Sequence, residues 1–404
     1  MRSGTSVLVT GASVAGPAAA YWLARAGCEV TVLDQAPSLR DGGQNIDVRA
    51  TARQVLRMMG LEDAVRGRNT GEVGTRFVDA TGATVAEFPV QLGESGDGPT
   101  AELEILRGAL SRILVDACAG TVTWRFGDRI AAVRQDDAGV EVELAGGGRE
   151  RFDLLVVAEG VGSRTRQLVF GQEPQEKALG MYVAYGTIER TPADDDWWRC
   201  LVVPRARQAT LRPDDVGSIR ATLSFRTGSP VLNGLSDAET RAAFRARFAG
   251  VGWEVDRILD GFEAGDDLYV DWLRQVRCPT WHRGRVCLLG DAAWSVTPIA
   301  GGGASLAITG GYVLAAMLSQ AGTHQEAFAR YEEWMRPFVD DAQKLPPGVP
   351  RIAAPESRAG VQVLRWGTRV AAAPLMRTLA TRLTTGPKAS QELPRLVGDP
   401  ARGR

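Results

Sequence analysis

The chain has 404 residues, 44% of them hydrophobic, and 47 basic against 48 acidic side chains leave a net charge of −1. That length allows about two or three domains with a large core, and the balanced charge removes any general electrostatic reason to bind nucleic acid. Five scattered cysteines without a CxxC pair, and only two histidines (His282 and His324), argue against a disulfide framework, a metal site or a Ser-His-Asp triad, and fit a reducing cytoplasm.

Residues 6–10 (SVLVT) predict a short buried strand, and no basic-then-apolar leader precedes them. GASVAG follows, then a helical run over 17–26, then a second strand, EVTVLD, that ends at Asp34. Strand, glycine turn, helix and strand make a βαβ unit. A helix over 51–59 stops at Gly60. Residues 75–89 read as a hairpin turning at 79–82. A helix over 103–119 precedes strands at 122–126, 130–134 and 140–144, and 153–158 is apolar enough for a strand buried on both faces. Residues 180–228 are strand-rich, 237–248 and 254–262 helical, and 268–276 alternate again. After a buried strand at 286–290 comes the most apolar run, 304–318, too short to span a bilayer and read as a core helix. An amphipathic helix over 324–344 breaks at LPPGVP, and a last helix is expected over 361–383.

Three glycine-bearing turns stand out. In the first, Gly11 allows a tight turn, the amides that open the helix suit a pyrophosphate, and Gly16 permits close packing, with Ser13 in place of a middle glycine. Asp34 ends the second strand, where an acid accepts hydrogen bonds from adenosine ribose hydroxyls; it favours FAD or NAD over NADP. The plainer alternative is a glycine turn with a surface aspartate. The second turn, AEGVGSRTR, places Glu159 at a strand end and Arg166 beyond it, either beside a ligand or as a surface ion pair. The third, GDAAWSVTPIAGGG, sets Asp291 at the end of a buried strand. Pro298 stiffens its loop, and Gly301, Gly302 and Gly303 expose amides before the apolar helix. A helix N-terminus there would stabilise negative charge, as on a reduced flavin ring.

Together and in this order, these motifs resemble the FAD-dependent class A aromatic hydroxylases. This is the para-hydroxybenzoate hydroxylase-like group that includes the tetracycline-inactivating monooxygenases. The resemblance covers roughly residues 5–340. It implies an α/β fold: a Rossmann-like FAD-binding domain from 1–74, 100–178 and 277–322, an inserted mixed β-sheet substrate domain from 75–99 and 179–276, and a C-terminal helical segment, 323–404, bracing the two.

Carried over by position, Gly11, Ser13, Val14, Ala15 and Gly16 would hold the FAD pyrophosphate, and Asp34 with Gln35 the adenosine end. Arg40, Arg107, Gly160 and Asp291 would contact the rest of the FAD chain, and Gly303 and Ala304 the isoalloxazine. The chemistry lies on the flavin, with Gln44, Pro298 and Gly301 as ring-side candidates. Tyr185, Arg220, Phe225, Pro298 and Ile299 are the substrate-side candidates. Arg220 and Arg226 share one face of a strand, and the plainer reading turns that face to solvent. Three positions depart from the family pattern: Glu159 for an aspartate, Trp294 for a histidine, and Gly310 where many members carry an acid.

The activity implied is an FAD-dependent, NAD(P)H-using monooxygenase that hydroxylates a polycyclic aromatic or polyketide-like molecule through a flavin C4a-hydroperoxide. The role would be antibiotic biosynthesis or inactivation. NADPH or NADH would bind only transiently, and O2 is the second substrate. No membrane association is expected, and a monomer or homodimer is. The alternative is a reductase or dehydrogenase of the same fold without oxygen insertion. Halogenation is disfavoured by the lack of a WxWxIP sequence, and a non-catalytic flavin binder by the intact glycine turns.

Overall fold

A computed structural model describes residues 4–40, 42–90, 102–296, 302–344, 352–373 and 391–397. Two large sheets organise it. The first has six strands in the order His282–Arg283, Val286–Leu288, Leu154–Val157, Ser6–Thr10, Glu29–Asp34 and Val122–Phe126. All neighbours are parallel except the first pair. The central strands are almost wholly apolar because both faces are covered. Helices Ala15–Arg25 and Gly303–Gln320 share one core with them. These two helices approach at Gly311, where a Cβ would lie 2.7 Å from the Ala19 backbone nitrogen.

The second sheet has seven strands: Tyr269–Arg277, Gln175–Glu189, Ser218–Arg226, Arg207–Pro213, Trp197–Val203, Gly74–Val78 and Thr84–Pro89. It is antiparallel apart from the parallel pairing of Trp197–Val203 with Gly74–Val78. The hairpin closes where Asp79 N donates to Ala83 O at 2.9 Å. Alternation decides what each face does. Tyr182, Ala184, Ile188, Leu223 and Phe225 point into a core shared with helices Asp237–Phe248 and Val255–Ala264. The intervening residues, Tyr185 and Arg220 among them, take the opposite face.

A two-stranded ribbon, Asn45–Asp47 against Glu104–Leu106, lies beside these sheets. The sequence predicts helix from residue 103, but the helix begins at Arg107. Residues 104–106 are recruited as a strand by pairing with a segment far away in sequence, which no local pattern reveals. The last described helix runs Arg358–Ala372, starting earlier than expected, at a Ser357 cap. The remainder of the expected helix lies outside the described residues. No helix among the described residues is long and apolar enough to cross a membrane.

Candidate flavin site and active site

The first glycine turn is built for close approach. Gly11 sits at φ +100°, and a Cβ there would collide with the Ala158 carbonyl of the neighbouring strand end. At Gly16 a Cβ would collide with the Gly11 carbonyl. No side chain among the described residues caps the helix that starts at Ala15, so its first-turn amides remain donors for an anion. Val14, Ala15 and Gly16 are buried beneath them, and Ser13 is half-buried.

Asp34 is buried, and its two oxygens accept from Ala12 N at 2.7 Å and Ala36 N at 2.8 Å. A carboxylate offers about four acceptor positions, so it can brace the turn and still receive ribose hydroxyls. Gln35 beside it is exposed. A small cavity here is lined by Ala12, Ser13, Asp34, Arg40, Arg107 and Phe126.

Arg107 joins this cavity to the rest of the site. Its backbone nitrogen donates to Gln44 O at 3.0 Å. Its guanidinium lies along Gly43 (φ +131°), where a Cβ would come within 2.8 Å of Arg107 Nε. Burial lowers the Arg107 pKa, with Arg40 adding to the effect, while Tyr269, Asp291 and Tyr185 oppose it. One arginine therefore feels the adenosine-end cavity, the third glycine turn and the second sheet together. The segment after Gln44 is also fastened from the long helix: Ser305 Oγ accepts from Arg49 N at 3.0 Å and donates to Asp47 O at 3.1 Å.

In the third turn, Gly290 (φ +62°) packs on Ala15, and Asp291 opens a short helix, Asp291–Trp294. Asp291 is exposed to the cleft yet hemmed in by protein around it. That enclosure pushes its carboxyl up to about 6, with Arg107 opposing and Asp271 adding. Gly302 (φ +83°) starts the 18-residue helix Gly303–Gln320, again with no side-chain cap among the described residues. Asp291 Oδ1 lies 4.0 Å from where a Gly303 Cβ would stand, and Ala304 is half-buried. Pro298, Ile299 and Gly301 lie outside the described residues.

The second turn serves structure. Glu159 accepts from Ser163 Oγ at 2.8 Å, Thr165 N at 3.0 Å and Thr165 Oγ1 at 2.5 Å, tying down the start of helix Arg164–Phe170. Gly160 (φ +80°) makes the turn before it. Arg166 is not a surface partner of Glu159. It is 1% exposed, and donates to Ala292 O at 3.2 Å, Val161 O at 2.8 Å and Glu176 Oε1 at 2.9 Å. It thereby pins the second turn to the third.

On the second sheet, Tyr185 stacks near Tyr269, ring centroids 6.3 Å apart. Burial raises both phenol pKa values, so both hydroxyls stay protonated. Tyr269 and Asp271 pair with Tyr185 and Val183 across the strands, which puts all four on one face. Sequence reasoning missed Tyr269 and Asp271, because only this register brings them to Tyr185.

Phe225 does not belong with Tyr185. It is 1% exposed on the opposite face, 5.3 Å from the Phe244 ring. Arg220 does share the Tyr185 face, but it is not solvated. It donates to Asp214 Oδ2 at 3.0 Å and Thr187 Oγ1 at 2.6 Å. Arg226 is likewise covered, donating to Ala354 O at 3.2 Å. The expectation of a solvent face fails because residues 353–356 fold over that end of the sheet.

These features fit a dinucleotide: two helix starts without a side-chain cap among the described residues, glycines where a Cβ would intrude, an acid at a strand end and a half-buried arginine. A model of the FAD binding domain family matches residues 4–344, and the chain belongs to that family. It is 37% identical over 386 residues to the flavin-dependent monooxygenase eupH of Phoma sp, covering 89% of this chain and 90% of the relative. It is 30% identical over 396 residues to the FAD-dependent monooxygenase asL4 of Sarocladium schorii, covering 91% and 92%. The crystal structure of tetracycline destructase Tet(55) aligns with a TM-score of 0.79 at 30% identity, over 92% of this chain and 97% of that one. The protein is an FAD-dependent monooxygenase of the class A type.

Proposed function

We propose that the protein uses NADPH or NADH and O2 to hydroxylate a polycyclic aromatic or polyketide-like small molecule, in the making or the inactivation of an antibiotic. The observation that carries this reading is the position of Arg107, which lines the adenosine-end cavity, lies along Gly43 and is within electrostatic reach of Asp291, Tyr185 and Tyr269. A cofactor laid along that line brings its far end to the tyrosine-bearing face of the second sheet. Likeness to Tet(55) supports a polycyclic substrate.

When bound, FAD stores the electrons of NAD(P)H and activates O2. The chain's own residues place it. In this reading, Gly11–Gly16 present backbone donors to the pyrophosphate, Asp34 takes the ribose, and Arg107 anchors the middle of the cofactor. Gln44, Gly303 and Ala304 flank the ring. The N-terminus at Gly303 favours negative charge on the reduced ring. Tyr185 and Tyr269 offer aromatic faces and protonated hydroxyls to a planar ligand, and Arg220 lies on the same face of the sheet. The corresponding domain division is residues 1–74, 100–178 and 277–322 for the cofactor, with 75–99 and 179–276 for the substrate.

The test is isotopic. The holoenzyme is supplied with NADPH or NADH and 18O2, and offered a panel of tetracyclines and hydroxylated anthraquinones. A product carrying one 18O atom is expected. A product reduced or dehydrogenated without 18O would replace this reading with the reductase one.

A further inference from the structure

A buried polar cluster sits between the Asn45–Asp47/Glu104–Leu106 ribbon and the second sheet, and nothing in the reading above uses it. Arg212, on the strand Arg207–Pro213, lies 2.8 Å from Glu72 Oε2 and 2.9 Å from Glu104 Oε1. Its guanidinium also covers the Trp198 ring at 4.2 Å. The two carboxylate side chains are 0% and 1% exposed. Asn45 crosses the cluster, its Nδ2 donating to Glu104 Oε1 at 2.5 Å and to the Pro213 carbonyl at 3.0 Å. One amide on the strand that follows Gly43 and Gln44 is thus tied to both the ribbon and the second sheet.

Two oxygens in this cluster have no hydrogen-bond partner among the described residues: Glu104 Oε2 and Asn45 Oδ1. An ionised Glu104 makes both of them bare, buried acceptors, an arrangement proteins avoid. Charge counting points the same way. One guanidinium serves two buried carboxylates, and the nearby Asp47 is itself paired with Arg49 at 2.7 Å. A second uncompensated negative charge is costly there. The asymmetry at Glu104 is that of an acid: Oε1 takes both donors as a carbonyl, and Oε2 carries a hydrogen for which an acceptor without a donor, Asn45 Oδ1, is at hand.

We propose that Glu104 is a positioning residue that works as a neutral carboxylic acid, clasping Asn45 and so fixing the Gly43–Asp47 edge of the flavin site against the second sheet. The groups that face it are Arg212, Glu72, Asp47 and Asn45. Burial raises the Glu104 pKa, Glu72 and Asp47 add to this, and Arg212 and Asn45 oppose it. Cys200, next to Arg212 and Glu72, is a buried neutral thiol and brings no charge. Loss of the Glu104 proton sets a second carboxylate beside Glu72 and leaves Asn45 Oδ1 without a donor. The strand edge that meets Arg107 is then released, and flavin affinity falls as pH rises.

The role in flavin affinity rests on the assignment of the FAD site above; the protonation state does not. Two measurements separate them. In 13C-Glu-labelled protein, one carboxyl resonance is expected at the protonated position at pH 6, titrating far above ordinary glutamates and absent from E104Q. The E104D variant provides a second assignment should E104Q fail to fold. Titrations with FAD from pH 6 to 9 should show affinity falling about tenfold or more in the wild type, because the proton is linked to binding. The same series in E104Q, where the amide mimics the neutral acid, should vary about twofold or less. Absence of a protonated glutamate at pH 6 overturns the proposal, as do parallel pH profiles for the two proteins. Failure of the wild type to bind FAD at any pH would defeat the flavin assignment instead, with the resonance still deciding the state of Glu104.

Discussion

The indole of Trp294 packs directly on Gly310. A Cβ on Gly310 would stand 3.2 Å from Trp294 Cζ2 and 3.3 Å from Cη2, with Leu289 Cδ1 at 3.1 Å. The two departures from the family pattern therefore meet in space: the wide ring after the GDAA turn lies against the bare helix position opposite. Trp294 is buried in a cluster of tilted aromatic rings, 4.4 Å from the Trp281 ring and 6.0 Å from that of Tyr331.

This pairing predicts a change of sign. Gly310→Ala gains about 1 kcal/mol of helix propensity but loses about 1–3 kcal/mol to overpacking against Trp294 and Leu289. The single variant should be less stable than the wild type. In a Trp294→Ala background, itself costing about 3–5 kcal/mol, the same Gly310→Ala change should stabilise. Chemical denaturation of the four proteins measures the coupling directly.

Arg107 should act on the cofactor rather than on the fold. Arg107→Ala removes a charge-assisted contact of about 1.5–3 kcal/mol, weakening FAD binding roughly 10- to 150-fold. Gly43→Ala should weaken it too, since its Cβ would displace the Arg107 side chain. Fluorescence titration with FAD reads both, and stability without FAD should change little in Arg107→Ala.

Arg166 should behave in the opposite way. It satisfies the carbonyls of Val161 and Ala292 from a buried position. Leaving such acceptors unpaired costs about 1–3 kcal/mol, so Arg166→Ala should lower the denaturation midpoint of the protein even before FAD is added. Denaturant unfolding without FAD checks this.

Asp291 gives a pH prediction with a definite sign. Its folded-state pKa of about 6 lies above its ordinary value of 3.8, so between those values the folded state holds more of the proton than the unfolded one. Its contribution to stability is therefore full below that window and lost as pH rises through it. Stability of wild type relative to Asp291→Asn should fall from pH 4 to pH 6 and level off above. A difference that rises with pH would contradict the enclosure of Asp291 by the protein around it.

The two faces of the second sheet can be separated as well. Phe225→Ala should cost about 3–5 kcal/mol of stability and leave KM for the organic substrate near wild type. Tyr185→Ala should raise KM with a smaller stability loss. Thermal melts and steady-state kinetics on the same preparations decide between the faces.

Much of this was legible in the sequence because it is local. The strand, turn, helix and strand of residues 6–34 follow from composition and spacing alone, and so do the helix Asp237–Phe248 and the hairpin around Asp79. What stayed hidden depends on pairing across the chain. Residues 104–106 become a strand only because Asn45–Asp47 lies beside them. Tyr269 joins Tyr185 only through the register of two strands far apart in sequence. Alternation put Arg220 and Arg226 on one face and Phe225 on the other, but it did not say which face is covered. That was decided by Asp214 and by residues 353–356.

The most direct test of the central claim is the reaction of the reduced holoenzyme with oxygen. The bound flavin is reduced without air, mixed with O2 in a stopped-flow instrument, and followed spectrally with and without members of the polycyclic panel. The account predicts a transient with a single blue-shifted band before the oxidised spectrum returns, and an 18O-labelled product when an accepted substrate is present. Direct return to oxidised flavin with stoichiometric hydrogen peroxide, in the presence of a ligand shown to bind the holoenzyme, would contradict it.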